Sequence, residues 1–263
     1  MKRFLKIFAP LALVFVVALF VSGCAKSTEY GIDALYTANL NFLEGESSSL
    51  DKSDFRDKKV ENTTTIYTFD EDYNGLLQTK TETLVERQGK YINQAGNITY
   101  PKLHIKVVTH TDVYNDETKE VEVKVTTSEY YFSNGEQYVY NTGTGFTKTS
   151  TSYSSFVSSH SSDLEYLTTV QDDIFAEVSG GESYSFEDSV DKSGNKVTLT
   201  RVAKTVDGLV LYDLSEKIVI TSNNYSSVAR SIVYTQKGVV NGKINQTIKY
   251  TYSANIVVPE LEA

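Results

Sequence analysis

Between Leu103 and Val125 the chain alternates apolar and polar residues so regularly that little except a pair of antiparallel strands can accommodate it. Leu103, Ile105, Val107 and Val113 share one parity with Thr109 and Thr111 between them, while His104, Lys106, His110 and Asp112 share the other. Successive strand side chains point to opposite faces, so this pattern predicts one face on a core and the other in water. Asn115-Asp116-Glu117-Thr118 reads as a turn, and Val121, Val123 and Val125 alternate with Glu120, Glu122 and Lys124 on the returning arm. A second hairpin follows at once. Tyr130, Tyr131 and Phe132 lead into Ser133-Asn134-Gly135-Glu136 and then Tyr138, Val139 and Tyr140, and Asn-Gly supplies the positive φ angles of a tight primed turn.

The period of two begins near Val60 and resumes late in the chain, predicting strands over Lys196–Lys204, Gly208–Asp213, Glu216–Thr221 and Val228–Gln236. In the last run Ile244, Ile248, Tyr250, Tyr252, Ala254, Ile256 and Val258 share one parity until Pro259 closes it. Helical spacing occurs twice. Ile32, Leu35, Tyr36, Leu40 and Leu43 follow a polar tether from Ala25 to Tyr30 and stop at Gly45, with a charged, Ser-rich loop over 46–59. Ser162 to Glu165 fits the capping-box template, and Leu164, Leu167, Ile174 and Val178 predict a helix near 162–178 that Gly180-Gly181 ends. The Ser/Thr-rich stretch from Thr147 to Ser162 reads as an exposed connection. About a dozen short strands with two helices make the class mainly β (α+β), antiparallel with segregated helices, and residues 46–263 read as one domain.

The amino terminus carries a different signal. Lys2, Arg3 and Lys6 precede an apolar run from Phe8 to Val21, then Ser22, Gly23 and Cys24. That run is shorter than the roughly 20 residues a spanning helix needs, and its flanks are those of a secretory signal. Val21-Ser22-Gly23-Cys24 resembles the lipobox of bacterial lipoproteins, in which a small residue precedes a cysteine that is diacylated before the signal is removed. The resemblance implies a signal peptide at 1–23, a lipid on Cys24, and a tether and first helix over 24–45. Cys24 is the chain's one cysteine, so no disulfide forms within the chain. Two acyl chains would give stable anchoring on the extracytoplasmic face of the cell membrane.

Several features together resemble the LolA-like lipoproteins, among them the LppX-like ones. These are the lipobox, the early helix, the long meander, and Ser133-Asn134-Gly135-Glu136-Gln137-Tyr138-Val139-Tyr140 running on to Gly145-Phe146-Thr147-Lys148 before a helix and further strands. The resemblance implies a strongly curved antiparallel sheet, an incomplete barrel covered by a few helices, with lipid acyl chains or another apolar ligand held between. It implies a carrier or binder rather than an enzyme. The alternative is a surface module that binds another envelope protein through strand edges or an acidic face.

Charge and ligand counts narrow the chemistry. Without residues 1–23 the chain has 240 residues and its formal charge moves from −9 to −12, which argues against nucleic acid as a partner and leaves anchoring to the lipid. Zinc needs several Cys or His ligands around one ion, and only His104, His110 and His160 remain beside Cys24. Along an extended strand His104 and His110 stand roughly 20 Å apart. His160 with Asp163 lacks the Gly-x-Ser-x-Gly elbow of a hydrolase. Asp70-Glu71-Asp72-Tyr73-Asn74-Gly75 matches the first half of a calcium loop, making Asp70, Asp72 and Asn74 candidate Ca2+ ligands, but Thr81 stands where the closing Glu belongs. A strand-to-strand turn accounts for Asn74-Gly75 equally well.

Overall fold

The computed structural model describes residues 26–43, 50, 56–94, 97–169, 187–207 and 209–261. Its centre is one open antiparallel sheet of eleven strands, not closed into a barrel, in the order β8-β7-β6-β5-β2-β1-β13-β12-β11-β10-β9. The strands are β1 (Lys58–Asp70), β2 (Gly75–Gln88), β5 (Lys102–Asn115), β6 (Glu120–Ser133), β7 (Glu136–Asn141), β8 (Gly145–Ser150), β9 (Glu187–Ser193), β10 (Lys196–Asp207), β11 (Val210–Thr221), β12 (Asn224–Gln236) and β13 (Val239–Thr251). β3 (Ile92–Gln94) and β4 (Asn97–Thr99) form a separate two-stranded ribbon. Two meanders therefore build the sheet, one growing outward from β1 and the other returning inward to β13, and they join where β1 pairs β13 from Lys59↔Thr251 to Thr68↔Gly242.

Both hairpins read from the sequence are present, and Asn134 and Gly135 take φ values of 53° and 77° as a primed turn demands. Several boundaries differ from expectation. The long strands run to 14 residues where about 5–6 is usual, and Val210–Asp213 and Glu216–Thr221, read as parts of two strands, belong to the single strand β11. β13 ends at Thr251 although its apolar parity continues, because the chain then leaves the ladder. Ile256 is still buried there, and its N–H donates to Gln88 Oε1 at 2.8 Å.

Among the described residues three helices pack on one face of the sheet. α1 (Lys26–Leu43) starts at Lys26, so Lys26 to Tyr30, read as part of a tether, form its first turns. α2 (Tyr153–Ser159) and α3 (Ser161–Thr168) occupy much of what reads as an exposed connection, because Tyr153 and Phe156 are apolar enough to bury among Ser residues. Ser152 caps α2, accepting from the Ser155 N–H at 3.1 Å. The predicted 162–178 helix is observed through Thr168. Its expected continuation at Ile174, Val178 and Gly180-Gly181 lies outside the described residues.

Packing under α2 and α3 is aromatic. Phe132 is fully buried, with ring centroids 5.3 Å from Tyr153, 5.4 Å from Phe156 and 6.3 Å from Tyr100. α1 comes close to β9 and β10 at Gly31, where an added Cβ would stand 2.8 Å from Val190 Cγ2 and 2.9 Å from Leu199 Cδ2. Gly31→Ala gains about 1 kcal/mol of helix propensity but forces an overlap costing about 1–3 kcal/mol. The expected outcome is a net loss near 1 kcal/mol by denaturant titration, and a stabilised variant would show that α1 is free to shift.

Candidate functional site

Directly opposed residues in antiparallel strands share a face, so the register can be read across the sheet. On the helix-covered face one row runs Asp188, Arg201, Glu216, Arg230, Gln246, Thr64, Thr81, Thr109 and Thr126. The row beside it runs Val190, Leu199, Ile218, Val228 and Ile248 and belongs to the core. On the other side lies a second apolar cluster of Ala203, Leu214 and Ile232, with Tyr212, Tyr234 and Ile244 against it. A polar belt thus separates two apolar zones of one face.

The charged half of the belt is tightly paired. Arg230 Nε donates to Glu216 Oε1 at 2.7 Å, and one of its terminal nitrogens donates to Gln246 Oε1 at 3.1 Å. The other Glu216 oxygen faces Arg201 at 3.6 Å, and Arg201 reaches Asp188 at 3.5 Å. Burial raises the Asp188 carboxyl, and the Arg201 guanidinium opposes that shift. Leu35 of α1 covers this group, and with Asp188, Val190, Leu199, Arg201, Glu216 and Ile218 it encloses a pocket of about 20 Å³. A space of that size holds about one water.

A second polar cluster occupies the opposite face. His104, expected in water, is buried between its register partners Glu86 and Tyr131, with Nδ1 2.8 Å from Glu86 and Nε2 3.0 Å from Glu129. The imidazole lies flat on the Tyr131 ring at 4.1 Å, and the Phe146 edge packs on Tyr131 from beyond. The Tyr131 hydroxyl donates to Glu129 at 2.8 Å, and Lys106 reaches the same carboxylate at 2.9 Å. Alternation alone gave the wrong environment here because large aromatic neighbours cover the outer face at this end of the sheet.

Burial pushes the Glu129 carboxyl up, but hydrogen bonds from Lys106, Tyr131 and His104 outweigh it and hold it below the ordinary value of 4.5. Burial and the Glu129 contact together push the Tyr131 phenol well up. A carboxyl depressed by folding contributes stability that is complete above its unfolded pKa and is lost as pH falls through the lower folded one. Glu129→Gln is therefore expected to flatten the acid limb of stability, so that wild type and variant differ at pH 6 and draw together at a pH below the lowered Glu129 value. Parallel denaturation curves at both pH values would rule out this contribution.

The other expected site residues are dispersed. Val21, Ser22, Gly23 and Cys24 lie outside the described residues. Asp70, Asp72 and Asn74 form the β1–β2 hairpin turn, in which Asp70 Oδ1 accepts the Tyr73 N–H at 2.8 Å and Asn74 supplies φ 53°. Among the described residues no group of three or more acidic, His or Cys side chains converges to hold a metal. His110 is partly exposed beside Glu82 at 3.6 Å. His160 packs near Phe156 and Tyr130, its pKa lowered by burial, while burial raises Asp163.

Sequence reasoning passed over the belt, although a signal was present. Arg201, Glu216 and Arg230 stand in phase with Leu199, Ile218 and Val228, which marks charged side chains on a core face.

These features define the class as an open antiparallel β sheet with helices on one face and two closed polar clusters. No family model matches the chain, and no curated protein is significantly similar to it in sequence. Among the described residues no helix is long and apolar enough to cross a membrane.

Proposed function

We propose that this protein is an extracytoplasmic lipoprotein, held at the cell membrane through Cys24, whose β domain serves as a protein-interaction module of the envelope. The observation that carries this reading is the packing under the helices among the described residues. Ligand pockets occupy about 300–1,000 Å³, whereas the pocket beneath α1 has about 20 Å³. Under α2 and α3 the space is filled by Phe132, Tyr153 and Phe156. The clusters around Glu216 and His104 have their polar atoms turned on one another, as stabilising networks do.

A second reading is favoured by the composition of the same pocket. Its apolar side chains, Leu35, Val190, Leu199 and Ile218, end at Arg201 and Glu216, which suits an amphipathic molecule once α1 lifts. This is lipid carriage of the kind expected from the LolA-like resemblance.

Mass spectrometry of the full-length protein from a lipid-containing host, native and after organic extraction, separates the readings. The expected result is a covalent acyl modification on Cys24 with no extractable lipid at stoichiometric amounts. Extractable lipid near one per chain would replace the interaction reading by carriage, and an unmodified Cys24 would remove the anchor.

A further inference from the structure

Among the described residues the longest unprotected edge of the sheet is not at either end of the strand order but inside it. β5 pairs β6 along its whole length, from Asn115↔Glu120 to Leu103↔Phe132, whereas β7 pairs β6 only over Tyr130–Ser133. Among the described residues no strand therefore lies against the outer edge of β6 between Glu120 and Glu129. The terminal edges differ from it. β8 has six residues, and β9 carries Glu187, Asp188, Asp191 and Lys192 over seven, the kind of charge that discourages strand addition.

The free edge has the sequence Glu120-Val121-Glu122-Val123-Lys124-Val125-Thr126. Val123 is 59% and Val125 56% exposed, an unusual state for β-branched residues in mid-strand. The valines point to the face opposite the helices, sharing it with their partners Tyr114, Asp112 and His110. Glu120, Glu122 and Lys124 point to the helix-covered face.

We infer that this edge pairs with the same edge of a second copy, antiparallel about a two-fold axis at Val123, joining the two sheets into one. Charge complementarity selects the partner and the register. With Val123 opposite Val123 of the second copy, each Glu122 stands opposite a Lys124, and Val121 stands opposite Val125. The outer face then gains a ladder of three valine pairs in contact, and the inner face gains two cross-strand ion pairs. A shift of the axis to residue 122 opposes two glutamates, and a shift to residue 124 opposes two lysines. An axis between residues would set the apolar face of one strand against the charged face of the other. One register alone satisfies both faces, and it keeps the helices of both copies on the same side of the joint sheet. An isologous contact of this kind closes on itself as a dimer.

The inference rests on the interaction reading and deepens it by naming the partner. Sedimentation equilibrium of the full-length protein in detergent tests it, with charge variants on the exposed edge where folding is untouched. Wild type is expected to dimerise. Lys124→Glu and Glu122→Lys each place like charges at two contacts and are expected to weaken the dimer by at least about tenfold, whereas the double swap E122K/K124E restores it to within about threefold. In a second measurement, oxidised Val123→Cys is expected to link two copies, since directly opposed strand positions lie within the roughly 4.4–6.8 Å Cα range of a disulfide. Val123→Cys in a Cys24→Ser background removes ambiguity about which thiol reacts. A wild type that stays monomeric at high concentration, or a double swap no better than the single variants, overturns the pairing. Neither result alters the lipid measurement that decides between interaction and carriage.

Discussion

Replacing Lys58 by methionine is expected to lower the unfolding free energy by about 3 kcal/mol. Lys58 is fully buried, and its ammonium donates to the Phe42 carbonyl near the end of α1 and to the Leu167 carbonyl near the end of α3, each at 2.9 Å. Helix carboxyl termini leave four carbonyls without helical partners and carry partial negative charge, so one cation between two of them satisfies both dipoles. The ammonium also lies 3.8 Å from the centre of the Phe42 ring. Methionine keeps the apolar stem but leaves both carbonyls short of a donor, at about 1–3 kcal/mol each, less what its better burial returns. The chain has no tryptophan, so guanidinium denaturation followed by far-ultraviolet circular dichroism is the suitable readout. A loss below about 1 kcal/mol would mean that the helices are held by apolar contacts alone.

Glu216→Leu is expected to cost about 4 kcal/mol, because it strands Arg230, of which 6% of the side chain is exposed, opposite an apolar group. The double variant E216L/R230M is expected to cost less than E216L alone. Removing both charges ends the desolvation that their pairing offsets, while Arg201 keeps Asp188. A double-mutant cycle in which the two losses simply add would falsify the view that these groups act as one buried network.

Together the two predictions locate different tasks. Lys58 fixes helices to the sheet, whereas Glu216 and Arg230 fix neighbouring strands to one another. Arg230 bridges β11 and β13 from its place on β12, so a two-residue slip of any of the three would break its contacts.

Much of the strand layout was legible because it is written in short-range terms. The strand pairing between Leu103 and Val125 and the Asn134-Gly135 turn each depend on neighbours a few residues away and are present as read, although Val121, Val123 and Val125 share the outer face with the polar parity of β5. Helix α2 was not legible, because Tyr153 and Phe156 are only two apolar residues in a Ser-rich run. Their burial depends on Phe132 and Tyr100, which come from elsewhere in the chain. Nor could the end of β13 be read, since Tyr252 to Val258 keep the parity of a strand after the pairing partner β1 has run out at Lys58.

The polar sites show the same division. The turn of Asp70 to Gly75 could be described from sequence as an ion loop or as a hairpin, and the pairing of β1 with β2 down to Asp70↔Gly75 shows the hairpin. His104 was assigned to the correct parity but to water, and only the arrival of Tyr131, Glu86 and Glu129 from two other strands buries it.

What the sequence by itself determined is the β class, the main hairpins, the first helix and the expectation of a lipid on Cys24, because periodicity, turn chemistry and a local motif act over a few residues. What only the tertiary structure decided is the joining of two meanders at β1 and β13, the polar belt, the seat of Lys58 between two helix ends, and the edge that β7 leaves open on β6. Each of those depends on which distant strands become neighbours, and a one-dimensional pattern carries the faces of a strand but not the identity of its partner.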